Sequence, residues 1–202
     1  MVLKKYLQKQ KSNIMKTRII SFGVFYFAAL VASAQSSGVY LSAADFASGK
    51  LAYEINCSTE KHKIKLNEFL NKDFITVVHD KKPHNLNKKE IFGYKDCNDM
   101  TYRFVGNSHY VILNPAEEIL IYKHTIEASK NQKAAIHYYF SFSGSGEVQN
   151  LTLTNLKKAF PYNHKFHDAL DAEFKSDDEL ANYDSFHKVY KVNRLYSNSQ
   201  SN

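Results

Sequence analysis

From Leu51 to Phe142 the apolar residues recur at every second position, and no other feature of the chain constrains its fold as tightly. Leu51, Tyr53, Ile55 and Cys57 alternate with Ala52, Glu54 and Asn56, and Ile64 and Leu66 alternate with Lys63, Lys65 and Asn67. Phe74 to Val78, Ile91 to Tyr94, Tyr102 to Val105, Tyr110 to Leu113, Ile119 to Ile126 and Ile136 to Phe142 follow. Successive side chains of a strand point to opposite faces, so this period predicts strands with one buried face. The runs recur about every ten residues, the spacing of an antiparallel meander. Turn-forming stretches separate them: Asp80-Lys81-Lys82-Pro83, Asp96 to Asp99, Gly106-Asn107, Asn114-Pro115 and Lys130-Asn131.

The period changes after Gly144-Ser145-Gly146, which reads as a flexible connection between a strand and a helical part. Leu153, Leu156 and Phe160 share one face of a short helix that Thr152 caps and Pro161 ends. Phe166, Ala169, Leu170 and Phe174 predict a second helix. Ser176-Asp177-Asp178-Glu179 has the form of a capping box and predicts a third, with Leu180, Tyr183, Phe186 and Tyr190 on its apolar face. Upstream, Ser42 caps one helical turn through Phe46, closed by Gly49. The expected fold is α+β. An antiparallel β-rich body, sandwich or partly closed barrel, covers about 51–143, and two or three C-terminal helices cover about 152–196.

Residues 1–34 have a different character. Six basic residues, Lys4, Lys5, Lys9, Lys11, Lys16 and Arg18, precede an apolar run from Ile19 to Ala32, and Ala32-Ser33-Ala34 supplies small residues for a signal peptidase. This is the order of a secretory signal peptide. The run falls short of the ~20 residues that span a bilayer as a helix. The expectation is an exported protein, periplasmic or extracellular, beginning near Gln35, with one globular domain over 35–202 and no transmembrane segment after cleavage. Of the chain's 27 Lys and Arg, the leader holds six; 21 remain against 20 Asp and Glu, a net of +1. The domain therefore lacks the basic excess that nucleic-acid binding requires, and no nucleic-acid partner is expected.

Cys57 and Cys97 are the only cysteines. In an oxidising compartment such a pair reads first as a disulfide, with two buried thiols as the alternative. There is no phosphate-binding glycine loop, no Gly-x-Ser-x-Gly elbow, no His-Glu-x-x-His and no Cys-x-x-Cys. One cluster has metal-ligand character. His164, His167 and Asp171 fall on one flank of a helix, and His187 sits on the next predicted helix with Asp184 beside it. If those helices pack antiparallel, His164, His167, Asp171 and His187 are candidate zinc ligands for a metal-dependent hydrolase. The alternative is a polar helix with exposed histidines. The strand histidines, His62, His79, His84, His109, His124 and His137, are expected mostly to face solvent. The strand tyrosines are expected in core and cross-strand pairs, with an aromatic-lined pocket or sugar-stacking face as the alternative.

Three blocks carry a resemblance. Gly38-Val39-Tyr40-Leu41 with Asp45-Phe46 and Gly49-Lys50-Leu51, then Ile91-Phe92-Gly93-Tyr94, then Leu156 to Pro161, His164 to His167 and Tyr183-Asp184 resemble a group of small, uncharacterised exported proteins from Bacteroidota. The resemblance spans nearly all of the mature chain. It implies export in a bacterial host, with the Asn56-Cys57-Ser58 and Asn150-Leu151-Thr152 sequons unglycosylated, and it brings no catalytic residue with it. The functional expectation is a non-enzymatic envelope protein that binds a partner protein or a small ligand, without a cofactor. A zinc hydrolase and a structural envelope component are the alternatives.

Overall fold

The structure is a computed structural model that describes residues 35–201 apart from 61–62, 69–70, 127 and 129–132. The expected leader, His62 and the Lys130-Asn131 turn lie outside the described residues. The first half of the chain forms β1 (Ser36–Tyr40), α1 (Ala43–Ser48), β2 (Ala52–Asn56), β3 (Lys63–Lys65), β4 (Phe74–His79), β5 (Lys82–Asn87), β6 (Gly93–Lys95), β7 (Thr101–Val105) and β8 (Ser108–Ile112). The second half forms β9 (Ile119–Ile126), β10 (Ala135–Phe142), β11 (Gln149–Asn150), α2 (Leu153–Ala159), α3 (His164–Glu173), β12 (Tyr183–Asp184), β13 (Val189–Tyr190) and α4 (Lys191–Gln200). The expected α+β class is observed. The main sheet is an open antiparallel one of eight strands, ordered β11-β10-β9-β8-β7-β6-β1-β2, rather than a closed barrel. A second sheet, β3-β4-β5, is antiparallel as well.

Alternation along the strands divides the core into three clusters. Ile119, Ile121 and Phe140 meet Leu156 of α2, Phe166 and Leu170 of α3, Phe174, Leu180 and Val192 of α4. At the other end of the main sheet Val39, Tyr94 and Phe104 meet Ile75 and Val77 of the small sheet. The opposite side of the main sheet carries Tyr40, Phe92, Ile112, Leu120 and Tyr122, with Phe46 of α1 packed against them. Ile119 to Tyr122 are all buried, so the start of β9 is covered on both faces. Its edge is completed by side chains, because β8 ends at Ile112. Asn114 Nδ2 donates to Ile119 O (2.8 Å) and its Oδ1 accepts from Ile121 N (2.6 Å). Asn193 Oδ1 accepts from Ile119 N (3.1 Å) and its Nδ2 donates to Ile119 O (2.9 Å).

The cysteines form a disulfide with Cα atoms 5.7 Å apart, closing a loop of sequence separation 40. All of β3, β4 and β5 lies inside that loop. No helix of the described residues is long and apolar enough to cross a membrane.

The short helices match the sequence expectation. Ser42 Oγ accepts from Asp45 N and Gly49 closes α1 in the left-handed region; Thr152 accepts from Asn155 N to start α2. The expected third helix is replaced. Asp177–Glu179 is a single 3-10 turn, then β12 and β13 form a hairpin, and α4 begins only at Lys191. The acidic residues of the supposed capping box are used elsewhere: Asp177 accepts from Leu153 N and Glu179 from Lys175 N. Asp184 accepts from the N–H groups of Phe186 and His187, and Lys188 takes a positive φ of 55°; together they turn the chain back on itself. The predicted apolar face is thereby dispersed, with Leu180 buried and Phe186 86% exposed. Besides that hairpin, β1, β5 and the two-residue β11 were not expected. β1 comes from a short mixed segment, and β5 from a stretch read as a turn. In β5, Pro83 is tolerated because the strand is the edge of its sheet.

Candidate functional site

Strand β7 alternates Tyr102 and Phe104, which pack toward the small sheet, with Arg103, which points to the opposite face. There its Cζ lies 5.3 Å from the Phe92 ring centroid and 5.7 Å from that of Tyr122, whose hydroxyl end it meets. Nη1 donates to Tyr122 Oη (2.9 Å) and Ser141 Oγ (3.2 Å), and Nη2 donates to the carbonyl oxygen of Gly146 (3.0 Å). Every one of these acceptors is neutral. Ser141, 1% exposed, is fixed in turn by Tyr122 Oη (2.7 Å) and by its own bond to Ser143 O (2.7 Å).

Arg103 opens onto a cleft of about 570 Å³ lined also by Leu41, Ile91, Phe92, Lys88 and Gly144. Lys88 is 1% exposed. Its Nζ donates to Asn107 O (2.7 Å) and lies 6.0 Å from the Phe104 ring. Burial pushes the Lys88 ammonium below the usual lysine range, partly offset by the Glu68 and Asp73 carboxylates. Among the described residues, neither Arg103 nor Lys88 forms an ion pair. A buried lysine and a half-buried arginine, neither in a salt bridge, add positive charge at the cleft that an entering anion can meet. The Gly144-Ser145-Gly146 segment is part of this site. Gly144 lies against Phe46 and Phe92, and the Gly146 carbonyl is held by Arg103, so the expected flexible connection is a packed turn.

No family model, curated protein or solved structure matches the chain. The site therefore rests on its own geometry.

That geometry does not bring the sequence-predicted metal candidates together. His167 Nε2 faces the carbonyl oxygens of Lys157 (3.1 Å) and Phe160 (2.9 Å), where it caps the end of α2. Asp171 is paired with Lys157. His164 stands edge-on to His167 with ring centroids 5.9 Å apart. His187 lies on the hairpin, not on a helix, with its Nδ1 2.8 Å from Asp184 Oδ2. Hydrogen bonds from the backbone N–H of His187 and then its ring hold the Asp184 carboxyl below the usual range. Among the described residues, no three His, Cys, Asp or Glu side chains cluster as a metal ion would need.

The strand histidines also depart from expectation. His137 faces solvent, but His79 and His84 pack against Tyr53, and His124 stacks on Tyr110 at 4.4 Å. Burial, then the neighbouring His109 and His137, lowers the His124 pKa. The tyrosines largely form aromatic pairs, such as Tyr94 on Tyr102 at 4.5 Å. Arg103 itself was missed, although a signal was present. Of 27 Lys and Arg only three are arginine, Arg18, Arg103 and Arg194, and Arg103 stands alone between Tyr102 and Phe104 in mid-strand.

Proposed function

We propose that this protein is an exported, non-enzymatic binding module whose cleft at Arg103 takes a small anionic ligand. One observation carries the reading: a half-buried arginine beside the Phe92 ring, hydrogen-bonded to the Tyr122 hydroxyl, has only neutral acceptors around it. Arginine is suited to such a place because its guanidinium stays charged and stacks on aromatic faces while donating in its own plane. The cleft's volume lies in the range of small-molecule sites. The disulfide and the leader read in the sequence support an oxidising, extracytoplasmic setting.

Thermal-shift measurements on protein recovered from the periplasm of an expressing bacterium test this. A panel of small carboxylates, phosphate and sulfate is expected to contain members that raise the melting temperature of the parent protein. Arg103→Met should abolish that rise. Equal shifts for parent and variant would rule out Arg103 as the anion site.

A further inference from the structure

We propose that His124 and His137 form a two-imidazole site for a divalent transition-metal ion, Cu(II) above the others, on the open face of the main sheet. Neither residue lines the Arg103 cleft, so the site stands apart from the anion reading.

The ladder places the two rings. His137 on β10 stands directly opposite His124 on β9 in an antiparallel pair. Opposed residues point to the same face, with Cβ atoms about 4.5–5.5 Å apart. That face is the one carrying Tyr122 and Tyr139, the opposed pair two residues away. On its other side, toward β8, the His124 ring is stacked on Tyr110 at 4.4 Å. His137 is exposed and His124 half-buried, so the pair meets solvent. His137 is also near enough to act on the ionisation of His124.

Their nitrogens are uncommitted, which sets them apart from the other histidines. The rings of His109, His167 and His187 face Glu68, two backbone carbonyls and Asp184. Among the described residues, the rings of His124 and His137 make no hydrogen bond or ion pair. Imidazole nitrogen is a ligand for divalent first-row ions. Side chains at opposed positions can each turn one nitrogen to a shared ion at ~2 Å, and exposed His137 turns without disturbing the core. Two protein ligands are fewer than a structural or catalytic zinc site uses, so water completes the shell. For a given nitrogen set, affinity along the first-row series peaks at Cu(II).

Titration of Cu(II) into tag-free, disulfide-intact protein, in a buffer that does not bind copper, tests the site. The chain has no Trp, so its emission comes from tyrosine, and an ion at His124 lies beside Tyr110 and quenches it. The parent is expected to bind one ion per chain, with two imidazoles counted by pulsed electron paramagnetic resonance. His137→Ala, a change at an exposed position, should weaken binding by about tenfold or more and reduce the imidazole count. His124→Gln should do the same, and His164→Ala should bind as the parent does. Affinity and imidazole count unchanged in His137→Ala would overturn the assignment. So would a parent that binds no stoichiometric copper, or binding lost in His164→Ala.

Discussion

A Cβ placed on Gly146 would stand 2.3 Å from the carbonyl oxygen of Phe142, and one on Gly144 would stand 3.0 Å from the Phe46 ring. At Gly146 the obstacle is backbone, which cannot rotate away as a side chain could. Ser143 enters the same turn at a φ of 63°, so the chain there is already held in an uncommon conformation. Gly146→Ala should therefore cost about 1–3 kcal/mol by overpacking. It should also displace the carbonyl that Arg103 grips and weaken anion binding in parallel. A denaturant titration with a ligand thermal shift on the same sample checks both; a variant with unchanged stability and unchanged shift would refute the close packing of this turn. None of this is legible in Gly-Ser-Gly as a string of residues. The requirement comes from Phe46, Phe92 and Phe142, and only the fold brings the first two to the turn. Arg103 was half-legible for the same reason: its rarity is a property of the sequence, but its neutral surroundings are a property of three strands.

At the scale of elements, the strands with strict alternation and the helices with a capped start could be read directly, because their signals are local. Thr152 and its helix need only the next three residues, and β9 and β10 need only their own alternation. The segment from Ser176 to Tyr190 shows where local reading fails. Its acidic residues do bind backbone N–H groups, but those of Leu153 and Lys175 rather than the start of their own helix. A capping pattern specifies the chemistry of an acceptor, not the donor it will meet. The polar strand β5 was obscured in a similar way, since its pairing with β4 follows the tight Asp80-Lys81 turn, both residues at positive φ, rather than any apolar pattern of its own. The asparagines beside β9 make the complementary point. Asn114 and Asn193, each 5% exposed, stand in for a strand that β8 does not extend to provide. Asn193→Ala would leave Ile119 N–H buried without that partner, at a cost of about 1–3 kcal/mol. Asn193→Asp restores only the acceptor and should recover part of it. Equilibrium unfolding in urea measures both, and an alanine variant as stable as the parent would show that α4 is held by its apolar contacts alone.

Across the whole molecule, the tyrosines set an alkaline limit. Burial raises the pKa of Tyr40, Tyr94, Tyr102, Tyr190 and Tyr196, and pushes Tyr110 up to about 12. In the unfolded chain a tyrosine ionises near pH ~10. Above that pH the unfolded state sheds phenolic protons that the folded state retains, so stability present below ~10 falls as the pH rises toward the folded values. Melting temperatures followed by circular dichroism should hold steady below pH ~10 and drop above it, with tyrosinate absorbance appearing as the protein unfolds. Tyrosinate absorbance developing fully at pH ~10 in a still-folded protein would contradict the burial of these rings.

The bridge between Cys57 and Cys97 has an effect of a different kind on the molecule. Everything from residue 58 to 96, the small sheet included, belongs to a covalent ring with a single entrance. A protease that cuts the backbone once within that ring opens it without releasing anything: the two pieces stay joined through sulfur, and Arg103 stays on the strand beyond the cut. Where a surface loop of the ring meets hydrolysis, the part of the chain that supplies Lys88 can be nicked without being lost.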